Sequence, residues 1–358
     1  MSSPDATSTQ GGVSPAHAVP EGIDASKVSA WFAGNIPGVE LPLRFELIAG
    51  GRSNLTFEVD DAAGRRYVLR RPPTGHLLPT AHDMAREHRI ISALGPAGIP
   101  VAPALGLCED PAVNGAPFYV MGFVEGHIIR NRDEIPEQFD RRHVGESLAD
   151  TLAAIHAVDP DAVGLGDLGR REGYISRQLK RWYGQYQASR DEQGGPDVPD
   201  VDEVHNALVE CIPDQRQTGV VHGDYRLDNC VVDDRGDVAA VLDWELCTLG
   251  DPLADVGQLL VYWTEPGERN ALGNSATADS GFLTRAQLAE RYARTAGLDL
   301  GELDFYVAFA YWKLACILEG VYTRYLGGAM GKDGYDFSFY PDSIRSLASQ
   351  AKATAARL

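Results

Sequence analysis

One stretch of the chain, His222 to Asp243 (HGDYRLDNCVVDDRGDVAAVLD), concentrates the side chains best suited to chemistry. Asp224 precedes Asn229 by five residues, and two strand-like runs follow, Cys230 to Asp233 and Val238 to Leu242. The polar turn Asp234-Arg235-Gly236-Asp237 joins them, so the spacing predicts a hairpin that returns the chain to its start. Asp243 is thereby brought close to Asn229. A carboxylate and an amide oxygen make a hard donor pair, suited to a magnesium ion held mainly through nucleotide phosphates.

The Asp-to-Asn spacing is similar to that of the protein-kinase catalytic loop, and Asp243-Trp244-Glu245 stands where kinases carry Asp-Phe-Gly. Phosphoryl transfer needs a group that orients the attacking hydroxyl, metal that neutralises the triphosphate, and cations on the phosphates. On this likeness Asp224 takes the first role, and Asn229 with Asp243 the second. More widely, HGDYRLDN followed by VLDWELCTLGDPLADVG resembles the aminoglycoside phosphotransferase and choline kinase superfamily, over roughly Phe45 to Val261. Within it, GGRSNLTF, YVLRRPP, HGDYRLDN and LDWELCTLGDP most resemble the kinase-like domain fused to some acyl-CoA dehydrogenases, and its free-standing bacterial relatives. Those relatives are implicated in phosphorylating the hydroxyl of 4-hydroxyacyl-CoA thioesters. The resemblance implies ATP and Mg2+ as cofactors and an α+β, protein-kinase-like fold of two lobes.

The elements that must position these residues agree with that implication. From Phe45 to Glu125 the pattern reads as short strands (FELIAGG, LTFEVDD, RRYVLRRPP and Phe118 to Val124) with one helix near Thr80 to Leu94, a small antiparallel sheet. From Glu137 onward helical stripes dominate, such as Val144, Leu148, Leu152 and Ile155, or Leu253, Val256 and Leu260. The expected division is a disordered tail over 1–28, a nucleotide-binding lobe over 29–121, a hinge over 122–126 and a helical lobe over 127–358. Asp191 to Asp202 and Glu265 to Ser280 read as surface loops.

In the first lobe, Gly50-Gly51-Arg52-Ser53-Asn54 lies between two strands, where Gly51, Ser53 and Asn54 would donate to phosphates; a plain hairpin turn is the other reading. Arg70 or Arg71 fills the place of the kinase lysine, and strand alternation lets only one of them face the cleft. Arg70 is the choice. Glu87 shares a helix face with Met84, Ile91 and Leu94, so its carboxylate points to the core and needs a cation, which Arg70 would supply. Through the fold that the resemblance implies, backbone groups near Gly122 and Phe123 would meet adenine, with Met121 lining the pocket.

Arg226, two residues past Asp224, would either touch the transferred phosphoryl group or form a salt bridge to an acidic neighbour. His222 is expected to anchor the loop, because Asp224 already supplies the acid–base group. His156 reads as a packed helix residue, Asp255 as a brace for the catalytic loop, and Asp228 as a solvated or turn-stabilising residue.

The 358 residues and 44% hydrophobic content suffice for a proper core, and five scattered cysteines form neither a disulfide framework nor a zinc motif. A reducing, cytoplasmic setting is the simplest expectation, since the first 28 residues hold no apolar run and no Lys or Arg before Lys27. The segment Phe305 to Leu326 is broken by Lys313, Glu319 and Arg324, so it reads as a buried helix and not a membrane span. A net charge of −19 argues against nucleic acid or anionic membrane as partner. The expected partner is a small molecule: a hydroxyacyl-CoA, with Arg170, Arg171, Arg177, Lys180 and Arg181 toward its anionic end, or an aminoglycoside or other aminoalcohol drawn by the acidic surface. A nucleotide-binding pseudokinase is the reading from another class, supported only by the arginine at the lysine position.

Overall fold

The structure, a computed structural model, describes residues 19–50, 54–74, 83–193, 195–268, 275–328 and 336–358. Gly51 and Ser53, expected on the phosphates, lie outside the described residues.

The first lobe is a five-stranded antiparallel sheet of β1 (Arg44–Gly50), β2 (Leu55–Asp60), β3 (Arg66–Arg71), β4 (Ala104–Cys108) and β5 (Phe118–Gly122), in the order β1-β2-β3-β5-β4. Alternation sorts its side chains. Phe57, Val59, Tyr67 and Leu69 pack on α1 (Ala25–Asn35), while Thr56, Glu58, Val68 and Arg70 face the cleft. The helix α2 (Met84–Leu94) covers the cleft end of the sheet, and a single turn, α3 (Pro111–Asn114), links β4 to β5.

Two features depart from the expected lobe. The tail expected over 1–28 ends early, because Asp24 caps α1 by accepting the Lys27 N–H and because Val28, Phe32 and Ile36 recur at helical spacing on buried positions. β4 is the additional strand, half-buried for most of its length and therefore weak in alternation.

The second lobe is helical: α4 (Arg141–Ala157), α5 (Tyr174–Gln193), α6 (Pro199–Glu210), α7 (Leu253–Tyr262), α8 (Arg285–Ala296), α9 (Leu303–Leu326) and α10 (Tyr340–Ala355). Two short ladders sit at its top, β6 (Gly219–Val221) with β9 (Thr248–Gly250) and β7 (Cys230–Val232) with β8 (Val238–Val241). The second ladder is the expected hairpin, and it closes with the Leu242 N–H donating to the Asn229 carbonyl at 2.8 Å. Just past the hinge, His127 and Val232 exchange backbone hydrogen bonds of 2.8 and 2.9 Å, which fastens the crossing chain to β7. Only glycine fits at position 126, where a Cβ would fall 2.6 Å from the Val232 carbonyl oxygen. Among the described residues no helix is long and apolar enough to cross a membrane.

Candidate active site

β6 delivers the chain into the loop that carries Asp224, and α7 holds that loop from below. Asp255, buried on α7, accepts the N–H of His222 at 2.6 Å and of Gly223 at 2.8 Å. Burial alone would raise its carboxyl, but His156 and these N–H groups pull it below its ordinary value. His222 spends both ring nitrogens, one on the Asp224 N–H at 3.2 Å and one on the Leu242 carbonyl at 2.8 Å. It is an anchor. His156 is likewise packed, bonded to Tyr292 and Asp255.

Asp224 is gripped on each oxygen. Its Oδ1 accepts from Gln258 Nε2 at 2.8 Å and its Oδ2 from Asn229 Nδ2 at 2.9 Å. The same Asn229 nitrogen donates to the Asp224 carbonyl at 2.8 Å, so the side-chain oxygen of Asn229 is left for another ligand. Arg226 places Nε 3.4 Å from Asp224 and Nη1 3.1 Å from Asp228, with its guanidinium over the Tyr262 ring at 4.8 Å. Arg226 is thus ion-paired, as the salt-bridge reading has it, and it also lines the cavity between the lobes. Asp228, expected as a solvated or turn-stabilising residue, is half-buried in the short helical turn Leu227–Asn229, where burial raises its carboxyl despite the opposing pull of Arg226.

β3 presents Arg70 to the cleft and turns Arg71 away, where it donates to the carbonyls of Gly22, Pro72 and Asn114. Arg70 Nε lies 3.0 Å from Glu87, its Nη2 2.6 Å from Asp243 and 3.9 Å from Glu245. Burial works against this guanidinium, yet Glu87 and the acidic groups beyond it hold it above its ordinary value. Glu87 itself is raised, because burial outweighs a cation it must share with Asp243. Glu245 is pushed up to about 7 by burial and by Asp243. Asp243 has φ +60°, the one non-glycine residue with positive φ among the described residues, a conformation retained where packing and function demand it.

Some of these groups line a cavity of about 590 Å3 between the lobes, within the range of ligand sites. Arg70, Met121, Phe123, Arg226, Asn229 and Asp243 all line it. Asn54 does not: it is buried and ties Glu87 to Glu245 at 3.2 and 3.1 Å, because its place at the start of β2 aims it at those carboxylates. Glu87 also acts from behind, through Arg70. The N–H groups of Gly122 and Phe123 donate to the carbonyls of Pro103 and Arg66, and both residues line the cavity.

A second pocket, about 130 Å3, opens at Asp224 itself. Its lining includes Asp224, Gln258, Tyr262, Leu246, Lys313 and Leu314. Lys313 is buried on α9, with Nζ 2.8 Å from Gln258 Oε1 and 3.1 Å from the Gly223 carbonyl. In the sequence Lys313 stands out only as a charge that breaks the apolar run Phe305 to Leu326. A lone lysine on an otherwise apolar helix face was the available signal, because such a cation must find partners when buried.

Comparison with known proteins decides the family. The phosphotransferase enzyme family matches residues 44–302 of the chain. The chain belongs to that family. This phosphotransferase is 38% identical over 288 residues to acyl-CoA dehydrogenase family member 10 of Mus musculus, covering 78% of the chain and 26% of that protein. It is 36% identical over 320 residues to acyl-CoA dehydrogenase family member 11 of Gallus gallus, covering 87% and 40%. The chain thus spans about a quarter to two fifths of the length of these relatives. A Ralstonia eutropha protein solved as a candidate aminoglycoside phosphotransferase superposes with a TM-score of 0.78 at 32% identity, covering 93% of this chain and 98% of the other. The resemblance drawn from the motifs is borne out, and the phosphotransferase acts on a hydroxyl acceptor.

Proposed function

We propose that this phosphotransferase moves the terminal phosphoryl group of ATP, with Mg2+, onto the hydroxyl of a hydroxyacyl-CoA thioester. The observation that carries the reading is that Asp224 and its hydrogen-bond partner Asn229 line different cavities. Asp224 lines the small pocket, while Asn229, bonded to it at 2.9 Å, lines the large one. Nucleotide fits the large side and acceptor the small side.

The residues fit a magnesium ion by their donor chemistry. Asn229 and Asp243 offer hard oxygens, and among the described residues no group of three or more His, Cys, Asp or Glu side chains forms a site by itself, so phosphate oxygens would complete the shell. When bound, the ion neutralises charge on the phosphates and on the leaving oxygen. Asp224 orients the acceptor hydroxyl and receives its proton as the oxygen attacks phosphorus and the bond to the β-phosphate oxygen breaks. Arg70, held by Glu87, and Arg226 supply positive charge toward the phosphates. The pseudokinase reading loses ground, since Asp224, Asn229 and Asp243 stand together.

For the CoA end, Arg171 is engaged by Asp161 at 2.5 Å and Arg177 by the carbonyls of Arg170 and Glu172. Lys180 and Arg181 are exposed on α5 and are the better contacts for the anionic phosphates. The test is Mg2+-dependent ATP turnover against a hydroxyacyl-CoA panel and an aminoglycoside panel. Phosphorylated acyl-CoA is the expected product; nucleotide binding without transfer to any hydroxyacyl-CoA would overturn the reading.

A further inference from the structure

The small pocket beside Asp224 has a composition that selects among alcohols. Leu246, Val261, Ala310, Leu314 and Ile317 give it apolar walls, and Asp224 is the sole carboxylate among the described residues that line it. Both Asp224 oxygens are already engaged, by Gln258 and by Asn229 with Arg226 nearby. The fixed cation is Lys313. Two of its donors go to Gln258 and the Gly223 carbonyl, and Trp182 lies 6.0 Å away. Burial pulls the Lys313 ammonium below its ordinary value, and Arg181 on α5 adds to that, while Asp224 and Asp255 oppose it as compensating charges.

An acceptor bearing an ammonium group would be stripped of water here, would find one carboxylate already shared among Gln258, Asn229 and the acceptor hydroxyl, and would stand beside a buried cation. An aliphatic chain gains from the same walls, because its methylenes leave water without leaving a polar group unpaired. We propose that this pocket is the acceptor subsite and that Lys313 makes it selective for alcohols carried on an uncharged aliphatic chain, against aminoalcohols and aminoglycosides. The inference rests on the reading that Asp224 meets the acceptor hydroxyl. It also sets the local chemistry against the acidic surface, whose net charge of −19 would by itself draw amines.

The experiment compares kcat/KM of the full chain, with ATP and Mg2+, for a straight-chain 4-hydroxyacyl-CoA and the same thioester carrying a terminal amine, with kanamycin as a third acceptor. The wild type should favour the uncharged chain by at least about tenfold. Lys313→Met should narrow that ratio several-fold. Because this variant leaves Gln258 and the Gly223 carbonyl short of a donor and can fail to fold, Ile317→Asp, at a half-buried position, is the second arm. It should shift the ratio toward the amine by about tenfold or more. A purely structural role for Lys313 would lower both acceptors together and leave the ratio fixed; an unchanged ratio in the folded variants overturns the proposal. A wild type that prefers kanamycin overturns the selectivity and leaves the phosphotransfer reading standing. Loss of transfer to every alcohol, with nucleotide still bound, defeats that reading and the inference together.

Discussion

On the nucleotide side of Asp224 one guanidinium, Arg70, is shared among three carboxylates, Glu87, Asp243 and Glu245. On the acceptor side one ammonium, Lys313, is surrounded by aliphatic walls and holds only a side-chain amide and a carbonyl. The first carries excess negative charge that a metal and phosphates can rearrange around; the second has mostly apolar walls and a cation held by neutral partners, which suits it to recognition. On the proposed reading, transfer and selection are built from opposite materials in two cavities linked by the Asp224–Asn229 hydrogen bond.

Asp224→Asn removes the carboxylate at that link between the two faces and should have the largest effect. The amide retains the shape but cannot accept the acceptor's proton, so transfer should fall by about a thousandfold or more, with MgATP affinity nearly intact in calorimetry. Turnover near that of the wild type would end the assignment of Asp224. Asp243→Ala touches the nucleotide face alone. It should abolish the magnesium dependence of nucleotide binding, weakening MgATP on the order of a hundredfold, while an acceptor analogue binds as before; magnesium-dependent binding retained by the variant sinks the metal pair. Arg226→Ala probes the boundary between the faces. It should lower turnover about tenfold to a hundredfold with little change in ATP affinity, and Arg226→Lys should restore part of it. A drop in Tm with unchanged kcat would reduce Arg226 to its ion pairs with Asp224 and Asp228.

The two faces also differ in how far the sequence discloses them. Asp224, Asn229 and Asp243 are legible because a tight loop and a hairpin bring them together within 20 residues, so spacing alone implies proximity. Arg70 and Glu87 follow from strand alternation and helix periodicity, since each has only one way to face the core. Lys313 and Gln258 meet Asp224 through the packing of α7 and α9, and nothing local ties residue 313 to residue 224. Asn54 was drawn toward phosphate by its glycine-rich neighbours, whereas a buried amide between two carboxylates is a tertiary fact. The helix α1 was hidden because a polar, Ala- and Ser-rich composition masks three apolar residues at helical spacing.

The smallest expected effect on activity comes from the other buried charge of α9. Glu319 sits six residues after Lys313, is fully buried, and neither carboxyl oxygen has a hydrogen-bond partner among the described residues. Burial pushes its carboxyl up to about 7, against an ordinary value of 4.5. The folded protein therefore binds this proton more tightly than the unfolded chain does. The stability it contributes is full below pH ~4.5 and is lost as pH rises through ~7, by up to ~3 kcal/mol. Glu319→Gln should flatten that slope, raising Tm relative to the wild type at pH 8 and hardly at pH 5. The acceptor ratio should not move, because Glu319 does not line the pocket. A Tm difference that is constant from pH 5 to pH 8 would remove Glu319 as the titrating group. A shifted acceptor ratio would mean that selectivity follows the net charge of α9, and the contrast between the two faces would then rest on Gln258 and the aliphatic walls alone.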